Sequence, residues 1–280
     1  MRHETLAEAG LTYSPCRYGM SRTFFRGPRK SLEDRHVAFL GGTGTYGKFV
    51  EYPFTSIVES ELGQTCVNFG VMNGGIDVFL NDPVVLSACQ SAEATVVQVM
   101  GAQNLSNRFY RVHPRRNDRF VAASTVLRAL YNDVDFSEFN FTRRMLGALF
   151  TRSAEKFEIV REELQQAWLA RMKLLIEKIG SPVILLWFSN ARPDDGDWTA
   201  RASGLGADPL FVTNAMLDRL RPLVHETVIV RPSAEAQSAG TEGMVFPMLQ
   251  AEAATEMMGV IAHEEAAGVL TRPLHALLAK

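Results

Sequence analysis

Short apolar runs alternate with longer amphipathic segments along this 280-residue chain. The runs at 94–100 and 182–188 are almost continuously apolar, which is typical of parallel strands that helices cover on both faces. Only Gln98 interrupts the first of these two runs. The pattern predicts five strands, at 37–41, 65–69, 94–100, 182–188 and 226–230.

The amphipathic segments between these runs predict helices. In the segment 154–179, apolar residues recur every three or four positions and mark one buried stripe of a helix. Ser153 before this segment and Gly180 after it are residue types that commonly begin and end helices. Further helices are predicted at 54–62, from the Asp82-Pro83 pair onward, at 212–220 and in the last segment, 262–270.

The alternation of strand and helix predicts an α/β fold, with a three-layer, doubly wound parallel sheet of about five strands. Right-handed crossovers would place the ends of the first three strands side by side. Residues 1–35 are polar and irregular and predict an N-terminal arm, whereas 36–280 predict a single domain. About fifty residues separate the third strand from the next clear helix, so 105–152 is predicted to be an insertion.

A glycine-rich turn follows the first predicted strand. Gly42, Gly44 and Gly47 have the G-x-G-x-x-G spacing of dinucleotide-binding turns. The same stretch forms most of a phosphate-binding P-loop ending at Lys48, but Phe49 stands where that loop needs Ser or Thr. A dinucleotide site also needs an acidic residue at the end of the second strand, and none stands there. Both interpretations therefore lack a required residue.

Thr43 gives the same turn a third interpretation. Its hydroxyl lies on a tight turn directly after a strand, where a nucleophile can be exposed beside backbone N–H groups. This arrangement would suit acyl transfer to a side-chain oxygen. The interpretation requires a base and an oxyanion-binding group elsewhere in the chain.

From residue 37 to residue 104 the chain resembles the SGNH (GDSL-like) hydrolase superfamily. The octapeptide LGGTGTYG at 40–47 corresponds to the family's G-D-S-x-x-x-G turn. In this correspondence Thr43 takes the place of the serine nucleophile, and Gly42 takes the place of the family's aspartate. The whole chain also resembles an uncharacterised bacterial family, which by itself implies no activity.

Two further SGNH motifs follow the second and third predicted strands. The stretch VNFGVMNGG at 67–75 is similar to the family's N-x-G-x-x-G and places Gly70 at the oxyanion-donor position. The stretch GAQN at 101–104 is similar to the G-x-N-D motif, with Asn104 displaced by one residue. The resemblance implies that Thr43, Gly70 and Asn104 converge at the ends of three strands.

The family's general base is the histidine of a D-x-x-H motif before the last helix, and His263 occupies the corresponding place. Val260 stands where the orienting acid belongs, and an imidazole without that acid is a poorer base. Glu256, Glu264 or Glu265 could substitute for it. A histidine that opens an amphipathic helix can also be a surface or capping residue, and this alternative stays open.

The resemblance implies a hydrolase or acyltransferase that acts on an acylated small molecule of anionic or carbohydrate type. Thr43 would attack a carbonyl, and His263 would accept its proton. The Gly70 N–H and the Asn104 amide would hold the oxyanion. The same motifs place Gly42, Asn73 and Gln103 among the substrate-binding residues.

An arginine-rich stretch begins the predicted insertion. The carboxyl ends of strands in an open α/β sheet face the ligand crevice, so this stretch should lie over the site. Guanidinium groups there could bind carboxylate, phosphate or sulfate, and the alternative is a solvated loop with ion pairs. The residues expected to bind substrate are Arg108, His113, Arg115 and Arg116.

This stretch supports a second hypothesis, a catalytically inactive SGNH-like protein that binds an anionic ligand. The changes from the family pattern at Gly42, Thr43 and Val260 favour it. A dinucleotide-binding oxidoreductase is the third hypothesis. The sequence leaves open whether the chain is an enzyme.

Composition narrows the range of partners. The formal net charge of −2 gives no overall attraction to nucleic acid or anionic membranes. The charged N-terminus does not resemble a signal peptide, and no apolar run is long enough to span a membrane. We therefore expect a cytoplasmic protein that binds neither nucleic acid nor membrane, in an oligomeric state that the sequence does not define.

No cofactor and no metal are expected. The three cysteines are widely spaced and predict neither a disulfide framework nor a metal-ligand set. Asp194, Asp195 and Asp197 lie in a predicted polar loop and offer a weak metal-binding hypothesis, since acidic surface loops are common.

Overall fold

Parallel strands form the centre of the fold. The computed structural model of the chain describes residues 10–193 and 205–279. Within these ranges five strands form one parallel sheet, and two form an antiparallel hairpin. The strands are β1 (His36–Gly41), β2 (Thr65–Gly70), β3 (Ala94–Gln98), β4 (Tyr110–His113), β5 (Arg116–Ala123), β6 (Val183–Phe188) and β7 (Glu226–Val230).

The parallel sheet has the strand order β2-β1-β3-β6-β7. Gly41 lies beside Gly70 of β2, and Leu40 lies beside Val97 of β3. The ends of the first three strands are therefore adjacent, as predicted. The order reverses between β1 and β3, and in doubly wound sheets the ligand crevice lies at such a point.

Helices connect the strands and cover both faces of the sheet, which confirms the predicted α/β class. Two helices have the predicted bounds, Phe54–Leu62 and Ala154–Ile179. In the described ranges the helices are α1 (Thr43–Tyr46), α2 (Phe54–Leu62), α3 (Ile76–Leu80), α4 (Pro83–Ser91), α5 (Thr125–Leu130), α6 (Thr142–Arg152), α7 (Ala154–Ile179), α8 (Asn214–Asp218), α9 (Ala234–Ala239), α10 (Ala251–Thr255) and α11 (Val260–Leu278).

Alternate residues of β1 face two separate cores. Val37 and Phe39 lie in the core that includes α2 and α11. Ala38 and Leu40 lie in the core that includes α3, α4 and α7. Since all four side chains are fully buried, the strand is continuously apolar and not alternating.

The predicted insertion, 105–152, has secondary structure of its own. β4 and β5 form a hairpin, and α5 and α6 follow it. Both helices lie in the stretch where the sequence indicates no clear helix. In this stretch of the sequence, apolar residues are interspersed with charged ones. In the structure the aromatic side chains of Tyr110, Phe120 and Phe136 pack on one another, while the arginines between them face outward.

The N-terminal arm, described from residue 10, runs over the turn that follows β1. Arg26 is buried, and its guanidinium donates four hydrogen bonds of 2.5 to 3.1 Å to carbonyl oxygens between residues 46 and 51. The Tyr13 hydroxyl accepts the N–H of Phe49 at 2.9 Å. The arm therefore holds this turn in place by polar contacts.

Candidate functional site

A cavity of about 520 Å³ opens at the carboxyl ends of β1, β3 and β6. This is the place in a doubly wound sheet where ligands bind. Several residues predicted from the sequence line it, although they come from distant parts of the chain. They are Gly42, Thr43, Asn73, Gln103, Asn104 and His263.

The turn after β1 is held by Gln98, the last residue of β3. Its Oε1 accepts the N–H of Gly42 at 3.2 Å, and it accepts the N–H and hydroxyl of Thr45 at 2.9 and 2.7 Å. α1 ends after one turn at Gly47, whose φ of 71° favours glycine. These bonds occupy N–H groups at the helix start, where a dinucleotide would place its pyrophosphate.

Thr43 is hydrogen-bonded to Asn73 from the loop after β2. Its hydroxyl accepts the Asn73 backbone N–H at 2.9 Å and donates to the Asn73 Oδ1 at 3.2 Å. Asn73 has a φ of 54°, a left-handed conformation that few residues other than glycine adopt. Asparagine tolerates this conformation better than most residues, and Asn73 meets Thr43 through its backbone N–H as well as through its side chain.

Gly70 lies beneath the turn and not on the cavity wall. Its N–H donates to the Asn68 Oδ1 at 2.8 Å. A Cβ at this position would lie 2.3 Å from the backbone nitrogen of Tyr46, so close packing requires glycine here. The structure therefore does not bring the Gly70 N–H to Thr43, and the backbone donor at that hydroxyl is Asn73.

Asn104 is fixed between the site and the insertion. Its Nδ2 donates to the carbonyl of Asn73 at 3.2 Å, and its Oδ1 accepts the Thr142 hydroxyl at 2.8 Å. Thr142 is the first residue of α6 and is buried. The Asn104 amide and the Thr43 hydroxyl thus both contact Asn73. Thr142, a residue of the insertion, sets the orientation of the amide.

Asn117, a fully buried residue at the start of β5, holds the same loop from the other side. Its Oδ1 accepts the N–H groups of Gly75 at 2.9 Å and Val78 at 3.2 Å. Its Nδ2 donates to the carbonyl of His113 at 3.1 Å. The insertion therefore braces the loop that carries Asn73.

His263 lies in the first turn of α11, buried between two phenylalanine rings. Phe54 stacks on it at 5.6 Å between ring centroids, and Phe188 meets it edge-on at 5.2 Å. Its Nδ1 accepts the backbone N–H of Phe54 at 3.1 Å. Burial, with a contribution from the charge of Arg26, lowers the pKa of His263 to about 3. The ring is therefore neutral near pH 7, with its proton on Nε2.

The three glutamates that could replace the orienting acid lie in different places. Glu256 lines the cavity, and Glu264 is exposed on α11. Glu265 accepts the N–H of Ser233 at 3.0 Å. The Nδ1 of His263, where an orienting carboxylate would bind, is occupied by the Phe54 N–H.

The arginine-rich stretch forms the β4–β5 hairpin, and its predicted substrate-binding residues are not among those that line the cavity. Arg108 pairs with Glu163 at 2.8 Å. Arg115 and Arg116 are exposed at the hairpin turn. The backbone N–H of each donates to the His113 Nδ1 at 3.2 Å. The structure therefore separates this group from Thr43 and Asn104.

In the described part of the chain, four charged residues line the cavity instead: Lys48, Arg143, Asp208 and Glu256. The Arg143 guanidinium lies 3.6 Å from Asp208 and also donates to the carbonyl of Gly206. Gln103 donates to the Asp208 Oδ1 at 2.9 Å. Gln98 could have been noticed as an amide side chain within the third apolar run, whereas no local pattern marks Arg143 or Asp208.

In the described part of the chain, no group of three or more His, Cys, Asp or Glu side chains is placed to hold a metal ion. Asp194, Asp195 and Asp197 lie outside the described residues. None of the helices in residues 10–193 and 205–279 combines the length and apolar character that crossing a membrane requires.

A parallel sheet in this strand order defines a doubly wound α/β protein, and its cavity lies where the strand order reverses, the place at which such folds bind ligands. The chain belongs to the family described as "Domain of unknown function (DUF6473)", whose model matches residues 1–278. No curated protein matches the chain. The solved structures that match include the lipase Lip_vut3 from a goat rumen metagenome, at 12% identity and a TM-score of 0.43. That match covers 87% of this chain and 97% of the lipase.

Proposed function

We propose that the protein binds a small, oxygen-rich molecule in the cavity, on an SGNH-like scaffold that lacks an assembled hydrolytic base. The observation that carries this proposal is the hydrogen bond from the Phe54 N–H to the Nδ1 of His263. It makes Nε2 a donor, whereas a general base must present an unprotonated nitrogen to the nucleophile.

The pKa of His263 supports the same conclusion. A general base works best when its pKa lies near the operating pH. Burial lowers the pKa of His263 to about 3, so the ring is a weak base at pH 7. Among the described residues, the Thr43 hydroxyl has its hydrogen bonds with Asn73 and not with His263.

The charges of the cavity favour a neutral ligand over a strongly anionic one. Arg143 and Asp208 offset each other as an ion pair. Among the residues that the structure describes, Lys48 and Glu256 add one further cation and one further carboxylate to the wall. A carbohydrate-type or otherwise polar, uncharged molecule fits this balance, because transfer of an unpaired charge from water is costly.

A hydrolase or acyltransferase that uses Thr43 is the second candidate. It is favoured by the Asn73 backbone N–H, which lies 2.9 Å from the Thr43 hydroxyl oxygen. A fixed donor to this oxygen would stabilise the alkoxide character that develops as the Thr43 hydroxyl loses its proton. For this chemistry Nε2 of His263 would have to lose its proton, and the Phe54 N–H would lose its acceptor.

Two measurements test the proposal. In ¹⁵N-labelled protein, NMR of the imidazole nitrogens should show His263 as the neutral Nε2–H tautomer throughout pH 5 to 8, on the order of two units above its folded pKa at the acid end. Hydrolysis of p-nitrophenyl acetate should occur at the same rate in the parent and in Thr43→Ala. A rate that is lost in Thr43→Ala and kept in Thr43→Ser would establish the hydrolase instead.

A further inference from the structure

The side-chain amide of Gln98 is held in one orientation. Its Oε1 accepts three hydrogen bonds from the turn after β1, from Gly42 and Thr45. An amide oxygen has two lone pairs, so this oxygen has no capacity left for a ligand. Gln98 also lines the cavity, and because its Oε1 is occupied, the group left for a ligand is the Nε2 donor.

His263 offers a second donor in the same cavity, fixed by a different contact. Its Nδ1 is occupied by the Phe54 N–H, which leaves the protonated Nε2 for a ligand. Phe188 lies beside His263, with its ring edge-on at 5.2 Å, and also lines the cavity. Both donors are uncharged, and each is oriented by the protein before any ligand binds.

Gly44 packs closely against both Gln98 and Phe188. A Cβ at this position would lie 2.9 Å from the Nε2 of Gln98 and 3.1 Å from the Phe188 ring. Any larger residue would press on both groups. Close packing therefore requires glycine here, and the Gln98 Nε2 lies beside Phe188, the ring that contacts His263.

We infer that Gln98 Nε2 and His263 Nε2 form a two-donor subsite for an uncharged carbonyl oxygen, such as that of an N-acyl or ester group. The inference deepens the proposed function and rests on it. A carbonyl oxygen has two lone pairs and can accept from both donors. A carboxylate would bind better beside unpaired cations, and both groups here are neutral.

The probes for this subsite are N-acetyl-D-glucosamine and D-glucose, which differ in the acetamido group. NMR of ¹⁵N-labelled protein follows the side-chain amide of Gln98 and the ring Nε2–H of His263. N-acetyl-D-glucosamine should shift both signals, whereas D-glucose should shift neither. Acetate, which carries a charge in place of the neutral carbonyl, should also leave them unchanged.

Gln98→Glu is the variant that removes the donor with the least disturbance. It keeps an oxygen for the three hydrogen bonds from the turn and replaces Nε2 by oxygen. Binding of N-acetyl-D-glucosamine should weaken roughly tenfold, as the loss of one hydrogen bond implies. Gln90→Glu makes the same charge change at an exposed site on α4 and should leave binding unchanged.

His263→Asn tests the second donor and does not depend on the folding of the first variant. The asparagine Oδ1 can still accept the Phe54 N–H, whereas the Nε2 donor is lost. Binding should again weaken roughly tenfold.

Shifts elsewhere in the cavity with these two signals unmoved would overturn the subsite and leave the binding proposal standing. An equal response to D-glucose, or no response to either sugar, would also overturn the subsite. Thr43-dependent release of acetate from an acetylated probe would instead overturn the proposed function.

Discussion

Phe54 and His263 are 209 residues apart in the chain, yet the backbone N–H of one donates to the Nδ1 of the other at 3.1 Å. This contact joins the start of α2 to the start of α11. It satisfies an N–H at a helix start, where the helix itself supplies no partner. The arrangement requires a neutral imidazole, because a doubly protonated ring has no acceptor.

Stability should therefore fall in acid through His263. Burial lowers the pKa in the folded state to about 3, and the unfolded value is about 6.5. Between these values the unfolded chain binds a proton that the folded chain does not. The contribution of His263 to the free energy of unfolding is thus complete above pH 6.5. It is lost as pH falls toward 3, by up to about 1.4 kcal/mol per pH unit.

Urea denaturation of the parent and of His263→Asn at pH 7 and pH 5 measures this contribution. The parent should lose more stability than the variant over that range, because the asparagine does not titrate. His275→Asn, at an exposed position of the same helix, should lose as much as the parent. Equal pH dependence in all three proteins would contradict the expectation.

Arg26→Ala should destabilise the protein by about 3 kcal/mol, because it leaves several carbonyl oxygens between residues 46 and 51 without a charged donor. Hydrogen exchange should increase in this stretch more than in the central strands. Arg22→Ala, at an exposed position of the same arm, is the control and should change stability by less than about 0.5 kcal/mol.

The sheet could be predicted from the sequence because its strands are buried on both faces. Continuous apolar runs such as 182–188 then stand out from the helices, and Glu226–Val230 was predicted with its observed bounds. The hairpin β4–β5 gives no such run. Its exposed arginines alternate with buried residues, so the stretch indicated a loop.

The candidate site was predicted in part. The motifs identified Thr43, Asn104 and His263, which line the cavity. They could do so because motif residues at strand ends and at a helix start can be recognised by their spacing in the sequence. The role of each residue depends on contacts that no local pattern contains. The tautomer of His263 depends on Phe54, and the orientation of Gln98 depends on Thr45, which is 53 residues away.

Thr142→Val should disturb the site from within the insertion. The change keeps the shape of the side chain and removes the hydroxyl that orients Asn104, at a cost of about 1 to 2 kcal/mol. The amide signals of Asn104 and Asn73 should shift in NMR spectra. Thr125→Val, at the exposed first residue of α5, is the matched change and should leave those signals in place.

Thermal unfolding in sulfate tests whether the hairpin arginines bind an anion. Arg115 and Arg116 are exposed at the hairpin turn and do not line the cavity. We expect sulfate to raise the melting temperature no more than chloride at matched ionic strength, in the parent and in the Arg115→Gln, Arg116→Gln double variant. A sulfate-specific rise in melting temperature that occurs in the parent and is absent from the double variant would show that the hairpin binds anions.

NAD and NADP should not bind measurably in calorimetric titrations. Gln98 occupies the N–H groups of Gly42 and Thr45, at the turn where a pyrophosphate would need them. Micromolar binding of either nucleotide would contradict this expectation and indicate that the glycine-rich turn is a dinucleotide-binding turn.

The stretch from residue 46 to residue 54 is held by two side chains that the chain supplies at different times. Arg26 precedes the stretch, so it is available as soon as the turn is synthesised. His263 follows it by more than two hundred residues, so Phe54 lacks its hydrogen-bond partner until α11 has emerged from the ribosome. Long-range contacts of this kind form late in folding. A chain interrupted before α11 would therefore expose the wall of the cavity to chaperones and proteases, and the cavity would be complete only at the end of folding.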